Sequence, residues 1–85
     1  MIRMPSVHLN GTSREALTNG YLEAAQAVSK ARRALCEAAP NARDYYVQGE
    51  GAFGAATREH QARDQKLKDV LDELTALVEF VEEAP

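Results

Sequence analysis

The sequence predicts an all-α protein: an antiparallel helical hairpin with an extended N-terminal arm, assembling with copies of itself into a homo-oligomeric helical bundle. Three observations predict it. Two long segments repeat apolar residues at alternating spacings of three and four, the period of a supercoiled helix. The prolines stand at positions 5, 40 and 85, so neither segment contains a helix breaker and one separates them. A chain of 85 residues makes one domain at most and buries a smaller fraction of its surface than an average domain does, which favours completion of the core by a partner copy.

Residues 1–11, MIRMPSVHLNG, hold Pro5, a short Val7-His8-Leu9 run and the Asn10-Gly11 turn pair, and read as an extended arm. Residues 12–85 form the hairpin, with a helix over about 13–39, a connector over 40–49 and a second helix over about 50–83. In TSRE, Thr12 is the expected N-cap, exchanging hydrogen bonds with Glu15 in a capping box. Leu17, Tyr21, Ala24, Val28, Ala31, Leu35 and Ala38 then share one seam. Asn19-Gly20 interrupts the pattern at a cost of about 1 kcal/mol for a mid-helix glycine. Its expected role is to let another backbone come close, the alternative being a break into two helices.

On the second helix the seam reads Phe53, Ala56, His60, Arg63, Leu67, Val70, Leu74, Leu77 and Val81, widened by Leu71 and Val78. Placing Leu35 opposite Phe53 sets Val28 against His60, Tyr21 against Leu67 and Leu17 against Leu71. In that register Leu74 to Val81 outrun the first helix, and Met4, Val7 and Leu9 of the arm are their natural cover. A single hairpin leaves half of each stripe in water, and a heptad pattern specifies association better than it specifies number.

The net charge of −3 argues against a general nucleic-acid binder, but it is unevenly spread: residues 1–29 sum to 0, residues 30–63 to +2 and residues 64–85 to −5. The basic part surrounds the connector. A lone cysteine, Cys36, allows no internal disulfide, and no N-terminal apolar run has the length of a signal peptide or a membrane span. The expected setting is a reducing cytoplasm.

The connector and the adjoining helix, NARDYYVQGEGAFG followed by AATREHQAR, carry the candidate ligand residues. Tyr45 and Tyr46 offer flat faces on which a base stacks for about 1 to 3 kcal/mol. Arg43 can grip a phosphate with two prongs, and Gln48 can read a base edge. Arg58 and Arg63 add positive charge, and His60 adds orientation. A seam arginine must find a carboxylate, reach out to water or face a polar cavity. An ion pair from Arg63 to Glu23 or Glu59 that fixes register is therefore the competing explanation. For the tyrosines it is a folded loop that caps the bundle. The glycines match no phosphate-loop signature.

The acids Asp69, Asp72, Glu73, Glu79, Glu82 and Glu83 have the spacing of a magnesium site on a helix, but the apolar stripe faces inward, so they read as a solvated face. With no Cys/His cluster for zinc and no serine or cysteine nucleophile beside a base, neither an enzyme nor a metal or cofactor is expected.

VHLNGTSREAL, APNARDYYVQG and AFGAATREHQAR, taken together, resemble small helical proteins carried by phages and prophages. That resemblance spans nearly the whole chain and implies an inhibitor of bacterial immunity. One such kind, the anti-CRISPR proteins, blocks a host protein surface. Another sequesters cyclic or ADP-ribose-derived nucleotide signals as an oligomeric sponge. No site residue is carried over from it. The expected function is binding and sequestration of a small anionic, nucleotide-like signal by a homo-oligomer. The alternative is a protein-binding inhibitor or adaptor without a small ligand.

Overall fold

The computed structural model describes residues 2–85 and shows two helices packed against each other as an antiparallel hairpin, with no strand among the described residues. Helix α1 spans Arg14–Glu37 and α2 spans Ala52–Glu83. Between them lie two single 3-10 turns, Ala42–Asp44 and Tyr46–Gln48. The molecule is a rod of 61 × 23 × 17 Å. No described helix is long and apolar enough to cross a membrane.

The start of α1 differs from expectation by one residue. Ser13 is the N-cap, and its hydroxyl accepts from the Ala16 amide at 3.1 Å. Both residues are good caps; capping at Ser13 leaves Thr12 outside the helix and dissolves the expected box with Glu15. The helix then runs unbroken through Asn19-Gly20. No other backbone approaches Gly20, and nothing lies within 4 Å of where its Cβ would stand. The expectation of a close backbone contact is therefore not met within this chain.

The register also departs from the sequence reading. Arg32 of α1 meets Asp64 of α2, and Arg14 donates to the Glu82 carbonyl at 3.4 Å. Both pairs belong to one register, and it lies about two turns from the one that sets Leu35 opposite Phe53. The overhang consequently moves. α1 accompanies α2 to its C-terminal end, where the Arg14 guanidinium also meets the negative pole of the helix. It is the first turns of α2 that extend past α1, and there the connector folds down: Tyr45 and Phe53 stand with ring centroids 6.4 Å apart.

The seam of α2 keeps Phe53, His60, Leu67, Leu74 and Val81 as expected and moves by one residue between them, from Ala56 to Thr57, Arg63 to Asp64, Val70 to Leu71 and Leu77 to Val78. Phe53, Thr57, His60, Asp64, Leu67, Leu71, Leu74, Val78 and Val81 keep an alternation of four and three, and of these only Phe53 is classed as exposed. Arg63 and Val70 lie outside it and are exposed. On α1, Arg32 is half-buried while Ala31 and Ala38 are exposed.

Burial is concentrated at the far end from the connector. Val78 is 8 % exposed and Val81 0 %, and every other described residue is more exposed than these two. Two helices leave the sides of their seam open, so Val81 needs a third segment. The arm enters α1 at this end, and Ile2, Met4, Pro5 and Val7 are half-buried. Leu9, expected as part of the cover, is instead 97 % exposed. It sits where the arm reverses: the Gly11 amide donates to the His8 carbonyl at 3.1 Å.

Candidate functional site

The connector is a folded structure held by its own residues. Asn41 accepts from the Arg43 amide at 3.0 Å through its side chain and opens the first 3-10 turn. Tyr45 ends that turn and starts the next. Gly49 at φ 104° and Gly51 at φ 86° then turn the chain into α2, in the left-handed region that costs other residues about 1 to 2 kcal/mol. These glycines set the angle at which Tyr45 returns to the helix.

This geometry divides the predicted site residues. Tyr45, Gln48, His60 and Arg63 line one cleft of about 380 Å³ together with the Glu59 carboxylate, floored by Pro40, Ala52, Ala55 and Ala56. Arg43, Tyr46 and Arg58 do not line it. Tyr45 is half-buried against Phe53, whereas Tyr46 is 74 % exposed beside Val47 at 75 %. The two tyrosines thus do different things: the first is both a cleft wall and a cap on the end of the hairpin, and the second projects into water. Arg58 folds back along its own helix, with its guanidinium 3.4 Å from where a Cβ on Gly54 would lie.

Arg63 does pair with Glu59, at 3.8 Å, but within one helix and with both side chains more than half exposed. Such a pair contributes little to stability and cannot set the register between helices. The cross-helix ion pair is Arg32–Asp64, which sequence reasoning missed. Arg32 donates from Nε to Asp64 Oδ1 at 2.9 Å and from Nη2 to Oδ2 at 3.1 Å. This two-pronged bond holds the Asp64 carboxyl below its ordinary range, against the opposing effect of partial burial, and raises the Arg32 guanidinium.

Arg32–Asp64 lies in a second and larger groove of about 790 Å³ on the opposite side of His60. Arg32, Arg33 and Cys36 of α1 face Thr57, His60 and Asp64 of α2 across it, and Pro40 with Phe53 closes the connector end. His60 lines both openings. The signal that pointed here was present in the sequence as Arg32 and Asp64, one residue beside the seam positions Ala31 and Arg63.

No group of three His, Cys, Asp or Glu side chains suited to a metal occurs among the described residues. The acids from Asp69 to Glu83 are all exposed, and Asp69 and Asp72 accept from Gln65 and Lys68 along the same helix. No protein-family profile matches the chain, and neither a curated protein nor a solved structure is significantly similar to it.

Proposed function

We propose that the protein is a non-enzymatic, homo-oligomeric binding protein that holds a small anionic, nucleotide-like molecule at the connector end of the hairpin and thereby keeps it from its receptor. The observation that supports this reading is the convergence of Tyr45, Gln48, His60 and Arg63 on one cleft. They bring together a ring face, an amide, an imidazole and a guanidinium, the groups that recognise a base and a phosphate. Arg43 and Arg58, outside the cleft, contribute to the positive field through which an anion approaches. Self-association is supported by the poverty of the core: among the described residues Val78 and Val81 alone are buried, while Leu22, Val70 and Phe80 are each more than 40 % exposed. A bacterial cytoplasmic setting and sequestration of a host defence signal are part of the same proposal.

Melting of the protein with cyclic dinucleotides and ADP-ribose derivatives tests the reading. A ligand at a hundred times its dissociation constant adds about 2.7 kcal/mol, which raises the melting temperature by at least about 10 °C in a domain of this size. Tyr45→Ala should abolish that gain. A flat response to every anionic compound would remove the reading.

Tyr46 and Val47 favour a second reading. Two large apolar side chains about three-quarters exposed on a pre-formed turn make a suitable anchor for a protein partner. In that reading the protein is an inhibitor or adaptor, and Tyr46→Ala abolishes capture of the partner from host lysate without affecting nucleotide binding.

A further inference from the structure

We propose that the groove containing Arg32 and Arg33 is a binding site for a phosphate monoester carried on a flat ring, with Asp64 as the residue that positions Arg32. The inference takes its ligand class from the nucleotide-binding reading and adds a second phosphate site, on the opposite side of His60 from the connector cleft.

The ion pair is the starting point. Asp64 occupies the Nε edge of Arg32 and one hydrogen of Nη2. A guanidinium has five N–H donors, so the Nη1 amino group and the second Nη2 hydrogen remain available. The Arg32 side chain is 30 % exposed and that of Asp64 40 %, so the free edge is within reach of a solute while the head is held in one orientation. A guanidinium fixed in this way gives up less entropy on meeting an anion than a free one. Arg33, the next residue and also on the groove wall, has no carboxylate within 4 Å among the described residues. Two guanidinium groups therefore face a groove whose only lining carboxylate, Asp64, is already engaged. That leaves one positive charge in excess, which suits an anionic group.

The rest of the groove suits a ring. Cys36, Ala39, Pro40 and Phe53 form an apolar end, and Phe53 is 40 % exposed. Between this end and the arginines lie Thr57, His60 and Gln61, with hydroxyl, imidazole and amide groups for ring substituents or ribose hydroxyls. A volume of about 790 Å³ is in the range of small-molecule sites. Arg63 and the connector cleft, by contrast, offer about 380 Å³ with the guanidinium partly engaged by Glu59.

The test is titration of the full chain with adenosine monophosphate, phenyl phosphate and adenosine, followed by calorimetry and by the amide and side-chain resonances of Gln61, Gln65 and Phe53. Both phosphates should bind saturably and shift these resonances, and adenosine should bind at least tenfold more weakly than its monophosphate. Arg33→Ala should weaken phosphate binding at least tenfold with an unchanged melting temperature, because Arg33 is exposed and unpaired. Asp64→Asn should weaken the phosphates severalfold but leave adenosine unaffected, a split that general loosening of the hairpin would not produce. Phosphate binding that survives Arg33→Ala and Asp64→Asn but is lost in Arg63→Ala would overturn this assignment and leave the connector-cleft reading standing. Absence of any groove shift with either phosphate at millimolar concentration would overturn it too. If cyclic dinucleotides and ADP-ribose derivatives also fail to stabilise the protein, the sequestration reading falls with it.

Discussion

Val81→Ala is expected to be among the most damaging small truncations in this chain. Val81 is 0 % exposed, and the change removes two buried carbons, worth about 0.8 kcal/mol each in transfer from water. A rod with so little core has few neighbours that can collapse into the gap, and the residual cavity brings the expected loss to about 2 to 3 kcal/mol. The same truncation at Val70, 44 % exposed, should cost less than about 1 kcal/mol. Thermal melts at one fixed protein concentration, followed by helical circular dichroism, separate the two: about 4 to 8 °C per kcal/mol places Val81→Ala at least about 8 °C below the parent. Deleting residues 2–9 in both backgrounds then completes a cycle. If the arm covers Val81, the truncation becomes nearly neutral once the arm is gone. Equal losses at positions 81 and 70, or a full Val81 penalty without the arm, would refute the inference that the arm closes this end of the hairpin.

Four further outcomes follow from named contacts. Acidification should weaken the hairpin, because a carboxyl held below its ordinary 3.8 contributes stability that is present above that value and is lost as pH falls through the lowered one. Asp64→Asn should flatten the acid limb of the melting profile, and an unaltered limb would show that other carboxylates govern it. Thr18 Oγ1 is buried with no hydrogen-bond partner among the described residues, so Thr18→Val should raise stability by about 1 kcal/mol; a loss would mean that the hydroxyl is satisfied in solution. Gly51→Ala, at φ 86°, should cost about 1 to 2 kcal/mol in chemical denaturation, and a neutral result would show that the connector readily adopts another path. Light scattering should give a mass above the 9.3 kDa of one chain, and a helical monomer at micromolar concentration would end the oligomer proposal.

The elements were legible in the sequence because their signals are local. Pro40 stops a helix whatever surrounds it, Asn41 and the glycines 49 and 51 are turn residues, and the alternation of three and four persists from Phe53 to Val81 in α2. The register was not legible, nor was the choice between neighbouring positions at alternate steps of the seam, and the reason is a degeneracy of the helix. From His60 a seam can step three residues to Arg63 or four to Asp64, and both steps satisfy the period. The chain then offers an apolar residue on each side, Val70 or Leu71 and Leu77 or Val78, so hydrophobicity does not break the tie. On α1 the pair Ala31 and Arg32 presents the same choice, and preference for the apolar member selects the wrong one.

What breaks the tie is a pair of charges that no periodicity counts. Choosing Arg32 over Ala31 looks unfavourable on α1 alone, since it sets a charge where an apolar residue is on offer, and on α2 both Asp64 and Arg63 are charged, so neither choice is apolar. Together the two choices match an arginine with a carboxylate at 2.9 and 3.1 Å and select the register in which Arg14 reaches Glu82. The displaced Arg63 then falls to the exposed side and finds Glu59. The same displacement explains why only part of the expected site assembled. Tyr45, Gln48, His60 and Arg63 converge because the register leaves the first turns of α2 uncovered, giving the connector a surface to fold on. Tyr46 points away because a 3-10 turn has three residues per turn and adjacent side chains diverge by about a third of a circle. Two neighbouring tyrosines on such a turn cannot both stack on one ring, so Tyr45 and Tyr46 are separable by mutation: replacement of the first should change ligand binding and the packing of Phe53, and replacement of the second should change neither.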